Sequence, residues 1–120
     1  MPIVDVQVVV EAGQTTPSGC AESLAEALAA VLHAPPGRVW LRLQHLPHNM
    51  YAENGAAEQV LPVFVRVLHA DTPPQQVLVS QAASIANAVA TCLNRPTEKV
   101  HIEFAPAGRG RVAFGGELLR

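Results

Sequence analysis

Several common functions are excluded by what this chain lacks. It has eight Lys and Arg against ten Asp and Glu, with a formal net charge of −2. No run of basic residues occurs, so it does not encode the electropositive stripe that a nucleic-acid backbone requires. It has two cysteines, Cys20 and Cys92, far apart in the chain. These are too few and too isolated for a disulfide framework, and they read as reduced thiols of a cytoplasmic protein. His45 and His48 stand three apart around Pro47 with no Cys or carboxylate at ligand spacing, so no metal site is expected. Gly115-Gly116 reads as a turn and not a phosphate loop, and Ser80 and Ser84 belong to no nucleophile motif. No segment reaches the roughly 18 uncharged apolar residues of a membrane span, so no membrane partner is expected. The N-terminus lacks the basic region, apolar run and cleavage site of a signal peptide.

What the chain does have is a large share of small apolar residues. Hydrophobic residues make up 49% of it, mostly Ala and Val, with one Trp, one Tyr and three Phe. Its 120 residues suit one domain. A core of such small side chains is thin, and contacts between copies would bury more surface.

The chain is also written twice. An offset of 61 residues pairs Val4 with Val65, Val6 with Val67, Ala27 with Ala88, Leu32 with Leu93, Pro35 with Pro96 and Val39 with Val100. Conservative pairs follow the same register, among them Leu28 with Val89 and Arg38 with Lys99. Residues 1–120 therefore read as one domain of two repeats, about 2–60 and about 61–120.

Each repeat reads as strand, helix, strand. Val4, Val6, Val8 and Val10 alternate with other residues, as in a half-buried strand. Thr16-Pro17 offers a cap and a first-turn proline for a helix from about Pro17 to His33. Ala34-Pro35-Pro36-Gly37 ends that helix, and Val39, Leu41 and Leu43 alternate in a second strand. The second repeat gives Val63, Val65 and Val67, a helix capped near Thr72 and running to about Leu93, then Val100, Ile102 and Phe104. Right-handed crossovers make the strands within each unit parallel. The predicted fold class is α/β (α+β): two fused β-α-β repeats forming a four-stranded mixed sheet with two helices on one face.

The other sheet face would carry Ile3, Asp5, Gln7, Trp40, Arg42, Phe64, Arg66, His101 and Glu103. This mixture is too polar for a core and too apolar to be left to water, which points to an interface between copies with polar sites embedded in it.

Pro2 directly follows Met1 and opens the first strand. Methionine is normally trimmed when a small residue such as proline follows. Trimming would leave a secondary amine with a fixed ring at the strand end, able to move a proton or attack a carbonyl. The plain alternative is a proline tolerated at the start of an edge strand. Pro62 also precedes a valine strand, but it has no free amine, and the repeat pairs it with Met1.

The terminal proline, the β-α-β repeat and the tail Gly110-Arg-Val-Ala-Phe-Gly-Gly-Glu-Leu118 together resemble the tautomerase superfamily. The resemblance covers the whole chain. It is to the double-unit members, such as macrophage migration inhibitory factor, and the tail is similar to the hairpin that closes 4-oxalocrotonate tautomerase subunits. It implies a homotrimer with the sheets facing inward. It also implies a cofactor-free isomerase in which Pro2 is the catalytic base on a small enolisable keto or enol carboxylate. His101, Trp40, Tyr51, Arg109, Arg111 and Glu103 are the implied substrate-binding residues.

Departures from the family pattern are specific. The loop Glu11–Thr16 has no arginine, and neither does Leu68–Pro73. The family's second-strand arginine aligns with Trp40 and His101, and its hairpin phenylalanine aligns with Tyr51 and Val112. A clamp of two arginines does not carry over, so Arg42, Arg109 or Arg111 would have to supply the cation. Arg109 and Arg111 flank Gly110 and are expected on one side of the hairpin, suited to a carboxylate. His101 is either a site residue or an interface histidine, and Glu103 either activates water or forms a salt bridge. Two alternatives to the tautomerase reading stay open. One is a non-catalytic trimeric scaffold or ligand-binding protein, and the other is a lyase or hydratase relying on Glu103.

Overall fold

The computed structural model describes residues 1–120. The strands are β1 (Ile3–Val10), β2 (Trp40–Pro47), β3 (Val63–Leu68) and β4 (Val100–Phe104). The helices are α1 (Cys20–Val31) and α2 (Gln75–Leu93), and a small hairpin, β5 (Ala113–Phe114) and β6 (Glu117–Leu118), closes the chain. The sheet order is β2-β1-β3-β4. β1 is parallel to β2 and β3 to β4, while β1 and β3 are antiparallel. The structure is thus the mixed four-stranded sheet with two covering helices that the alternating valines predict.

The period of two in β1 and β3 puts Val4, Val6, Val8, Val63, Val65 and Val67 on one face with almost no exposure. Leu24 and Leu28 of α1 and Ile85 and Val89 of α2 are fully buried in the same cluster. Leu24 and Ile85, like Leu28 and Val89, are 61 residues apart. Past the helix ends, His33 and Asn94 share that spacing and both adopt left-handed backbone, with φ of 52° and 54°. Because the core side chains are small, each large one matters. Leu28→Ala is expected to lower stability by about 2–5 kcal/mol, read as a lower urea midpoint with an unchanged slope.

Both helices start later than their predicted caps. The Thr16 N–H and hydroxyl are instead engaged by His45 Nε2, at 3.1 and 2.9 Å, which ties the first loop to β2. α1 begins beyond a turn at Gly19, whose φ of 82° suits glycine. In the second repeat each residue before a proline is driven toward extended backbone, so Thr72-Pro73-Pro74 delays the helix to Gln75. A second correction concerns α2. By length and composition alone this charge-free helix is long and apolar enough to cross a membrane, which the sequence reading denied. Its stripe of Ile85, Ala86, Val89 and Ala90 is buried in the core.

The opposite sheet face is ordered in rows by the strand register. One row runs Trp40–Ile3–Leu68, the next Arg42–Asp5–Arg66–Glu103, and the next Gln44–Gln7–Phe64–His101. A hollow of about 790 Å³ lies over this face.

Candidate functional site

The amino terminus lies at the end of the sheet where β1 begins. Pro2 is buried, and its carbonyl accepts a hydrogen bond from the Trp40 N–H at 3.2 Å. The parallel register that sets Ile3 beside Trp40 brings Arg38 to the level of Met1. The antiparallel register that sets Ile3 beside Leu68 brings His69 to the level of Pro2. A cleft of about 570 Å³ opens here, lined by Met1, Pro35, Arg38, Trp40, Ala70, Phe114 and Leu119.

The tail reaches this place by pairing along the end of β3. Ala105 N–H donates to the Val67 carbonyl, Gly108 N–H to that of His69, and Arg109 N–H to that of Ala70. The space over Gly108 is taken up chiefly by the tip of the Met1 side chain. A β-carbon there would sit 2.5 Å from Met1 Cε and 3.2 Å from Val112 Cγ2. The closing hairpin then lays Phe114 against Trp40, with ring centroids 4.8 Å apart and planes tilted by 33°.

The electrostatics favour a neutral amine. Burial, and then the nearby Arg38 guanidinium, hold the terminal amino group of Met1 below its ordinary value of 8.0. Arg38 was missed as a site residue because it was read only as the repeat partner of Lys99. The signal that could have found it is the register, which places the residue two before β2 beside the residue two before β1. His69 was missed as well. Its Nε2 donates to Gln81 Oε1 at 2.8 Å, and its ring stacks on Phe104 at 6.0 Å, so it is held in one orientation.

Of the sequence-predicted site residues only Trp40 lines this cleft; Pro2 is buried behind Met1 and reaches Trp40 through its carbonyl. Arg109 is committed elsewhere. It makes a bidentate pair with Asp71 at 2.8 and 2.6 Å and donates to the Arg120 carbonyl, fastening the tail to the loop after β3. That pair holds the Asp71 carboxyl below its usual range. Arg111 points into a different hollow, with Ile3, Asp5, Arg42 and Arg66. The two tail arginines therefore do not converge, because Arg109-Gly110-Arg111 is a turn ahead of the hairpin and not a strand.

Tyr51 and His101 meet at the other end of the sheet. Phe64 stands between them, with ring centroids 5.7 Å from Tyr51 and 5.4 Å from His101. The Tyr51 hydroxyl donates to Glu53 Oε2 at 2.5 Å, and that bond pushes its pKa up to about 12. Glu103 faces Arg66 at 3.6 Å on the exposed sheet face. Arg42 is held by Asp5 through two hydrogen bonds of 2.6 and 2.9 Å. Within one protomer the one cation at the cleft is Arg38.

No family model and no curated protein matches the chain. Solved structures do match. The chain is similar to a wild-type fused 4-OT solved as a symmetric trimer, with a TM-score of 0.79 and 15% identity, covering 98% of this chain and 94% of that one. It is similar to Pt0534 inactivated by 2-oxo-3-pentynoate, with a TM-score of 0.78 and 13% identity over 98% and 94%. It is similar to the macrophage migration inhibitory factor of Oncomelania hupensis, with a TM-score of 0.75 and 19% identity over 100% and 83%.

Proposed function

Because the chain has the fold of the tautomerase superfamily, we propose that it is a cofactor-free isomerase in which Pro2, freed by loss of Met1, is the general base. The observation that carries this reading is the placement of the amino terminus. It lies at the mouth of a cleft with one cation and an aromatic wall, where burial and Arg38 hold the amino group of Met1 below its ordinary value. A base poised near neutrality suits proton transfer between carbon and oxygen. The chemistry balances within the substrate: the Pro2 nitrogen accepts a proton from the enol oxygen or an α-carbon and returns it at the other position. Arg38 faces the carboxylate or the oxygen on which negative charge develops, where a fixed cation lowers the barrier.

The substrate is a small 2-oxo or enol acid whose apolar part rests on Trp40 and Phe114. Inactivation of a protein of the same fold by a 2-oxo acid agrees with this class. The working form is a homotrimer with the sheets facing inward; the fused 4-OT of the same fold is a symmetric trimer. Residues 1–120 form one domain of two units, about 2–60 and about 61–120. Tyr51, His101 and Glu103 would join a site only across a boundary between copies.

The absence of a second cation favours one other reading, a trimeric binding protein that kept the cleft and lost the reaction. Two measurements on the purified protein separate them. The expected results are an intact mass lacking one methionine residue and accelerated ketonisation of phenylpyruvate enol. Retained Met1 would overturn the amine mechanism, since Pro2 would then be an amide. Trimmed protein that binds the acid without turning it over would favour the binding protein.

A further inference from the structure

The tail is attached to the rest of the molecule unevenly. As far as Arg109 it is paired through its backbone, with Ala105, Gly108 and Arg109 donating to the carbonyls of Val67, His69 and Ala70. Past Arg109 its hydrogen bonds stay within the tail. Gly110 N–H donates to the Leu119 carbonyl, Leu119 N–H donates to that of Val112, and Ala113 pairs with Leu118 in the hairpin. Residues 110–120 therefore form a strap that no backbone hydrogen bond ties to the sheet or the helices. A lone two-stranded hairpin is only marginally stable in water. Yet this strap supplies Phe114 and Leu119 to the wall of the cleft.

Arg109 joins the strap to the body at both of its ends. Its Nε and Nη2 donate to the two Asp71 oxygens at 2.8 and 2.6 Å, and its Nη1 donates to the Arg120 carbonyl at 2.6 Å. One planar fork thus grips the loop after β3 and the far end of the strap together, a geometry that the point charge of a lysine does not reproduce. We propose that Arg109 and Asp71 are positioning residues: their pair seats the strap so that Phe114 meets Trp40, and the seated strap gives the cleft a preference for acids with a bulky apolar group. The preference rests on the isomerase reading of the cleft, whereas the seating of the strap does not.

The energetics suit a local role. The Arg109 and Asp71 side chains are 44% and 67% exposed, and a pair so exposed adds little to global stability. It has only to bias the opening of a segment with few other anchors, which costs far less than unfolding the domain. With the strap unseated, Trp40 loses the ring stacked 4.8 Å from it, and the cleft loses apolar surface that a bulky substrate alone would touch. Contacts of that kind hold substrate and transition state equally, so their loss raises KM and leaves kcat unchanged.

The test is Asp71→Asn, read in three ways. Trp40 is the one tryptophan in the chain, so fluorescence reports on it alone. Acrylamide is expected to quench Trp40 more strongly in the variant than in wild type, while the melting curve by circular dichroism stays in place. KM for phenylpyruvate enol should rise ~5-fold with kcat unchanged, and KM for the enol of 2-oxobutanoate should not move. Asp71→Glu keeps the pair and should restore both the quenching and KM. In a Phe114→Ala background Asp71→Asn should add nothing, because the pair acts through that ring. Unchanged quenching in folded Asp71→Asn, or additive effects in the double variant, would overturn the seating of the strap. An equal rise in KM for both acids would overturn the preference. Wild-type protein without turnover would remove the isomerase reading and the preference with it, and quenching would still decide the seating.

Discussion

Pro2→Ala should remove most of the activity on phenylpyruvate enol and leave the fold unchanged. Alanine also permits loss of Met1, so the variant keeps a free terminal amine in the same cleft. The change therefore separates the proline amine from the mere presence of a terminus. Alanine's amine is primary, and its unrestrained φ lets the nitrogen move away from the substrate. A positioned general base is worth ~10²–10⁴-fold, and most of that factor should be lost. Stopped-flow ketonisation read beside circular dichroism checks it. A folded variant with wild-type kcat/KM would end the proline mechanism.

The second large effect is expected at Arg38. Arg38→Gln removes the cleft's one cation, with two separable consequences. The substrate carboxylate loses a charge-assisted hydrogen bond worth about 1.5–3 kcal/mol, which corresponds to about a tenfold to hundredfold fall in kcat/KM. On the proposed reading the Pro2 amine also loses the positive neighbour that lowers the Met1 amino group, so its pKa rises. The free base is the active form, so the acid limb of the kcat/KM profile should move to higher pH, and activity near pH 6 should suffer most. Arg38→Lys, which keeps the charge, should leave the limb near its wild-type position. A variant with reduced kcat/KM and an unmoved limb would assign Arg38 to substrate binding alone.

The strands and the inward face of each helix were legible because both rest on short-range periodicity. Alternating valines mark β1 and β3, and Leu24, Leu28, Ile85 and Val89 mark the buried helix faces. The helix starts were less legible. Thr16 looks like a cap, yet its hydrogen bonds go to His45, 29 residues away. The site was harder to read for the same reason. Arg109 resembles a ligand for a substrate carboxylate until Asp71, 38 residues distant, claims both sides of its guanidinium. Pro2 was found from its place directly after Met1, and Trp40 from alignment with the family's second-strand arginine; Arg38 would have been found by extending the strand register two residues. Tyr51 and His101 were placed by alignment with the family's site, and they lie at the other end of the sheet.

That other end has a consequence of its own. It is built from the same strand–helix–strand parts, with Pro62 leading into β3 as Pro2 leads into β1. Here, however, the chain runs on, and the proline nitrogen is locked in a peptide bond. The neighbouring Leu61 carbonyl accepts a hydrogen bond from Arg95 at 2.7 Å, which fixes the strand entry where the first repeat has a free terminus. On the proposed reading each copy thus has two similar sheet ends but only one reactive nitrogen. Substitutions at the second end do not touch the amine, so that end is free to diverge. A cluster such as Tyr51, Phe64 and His101 can there be reshaped for another ligand without altering the proposed chemistry at the first.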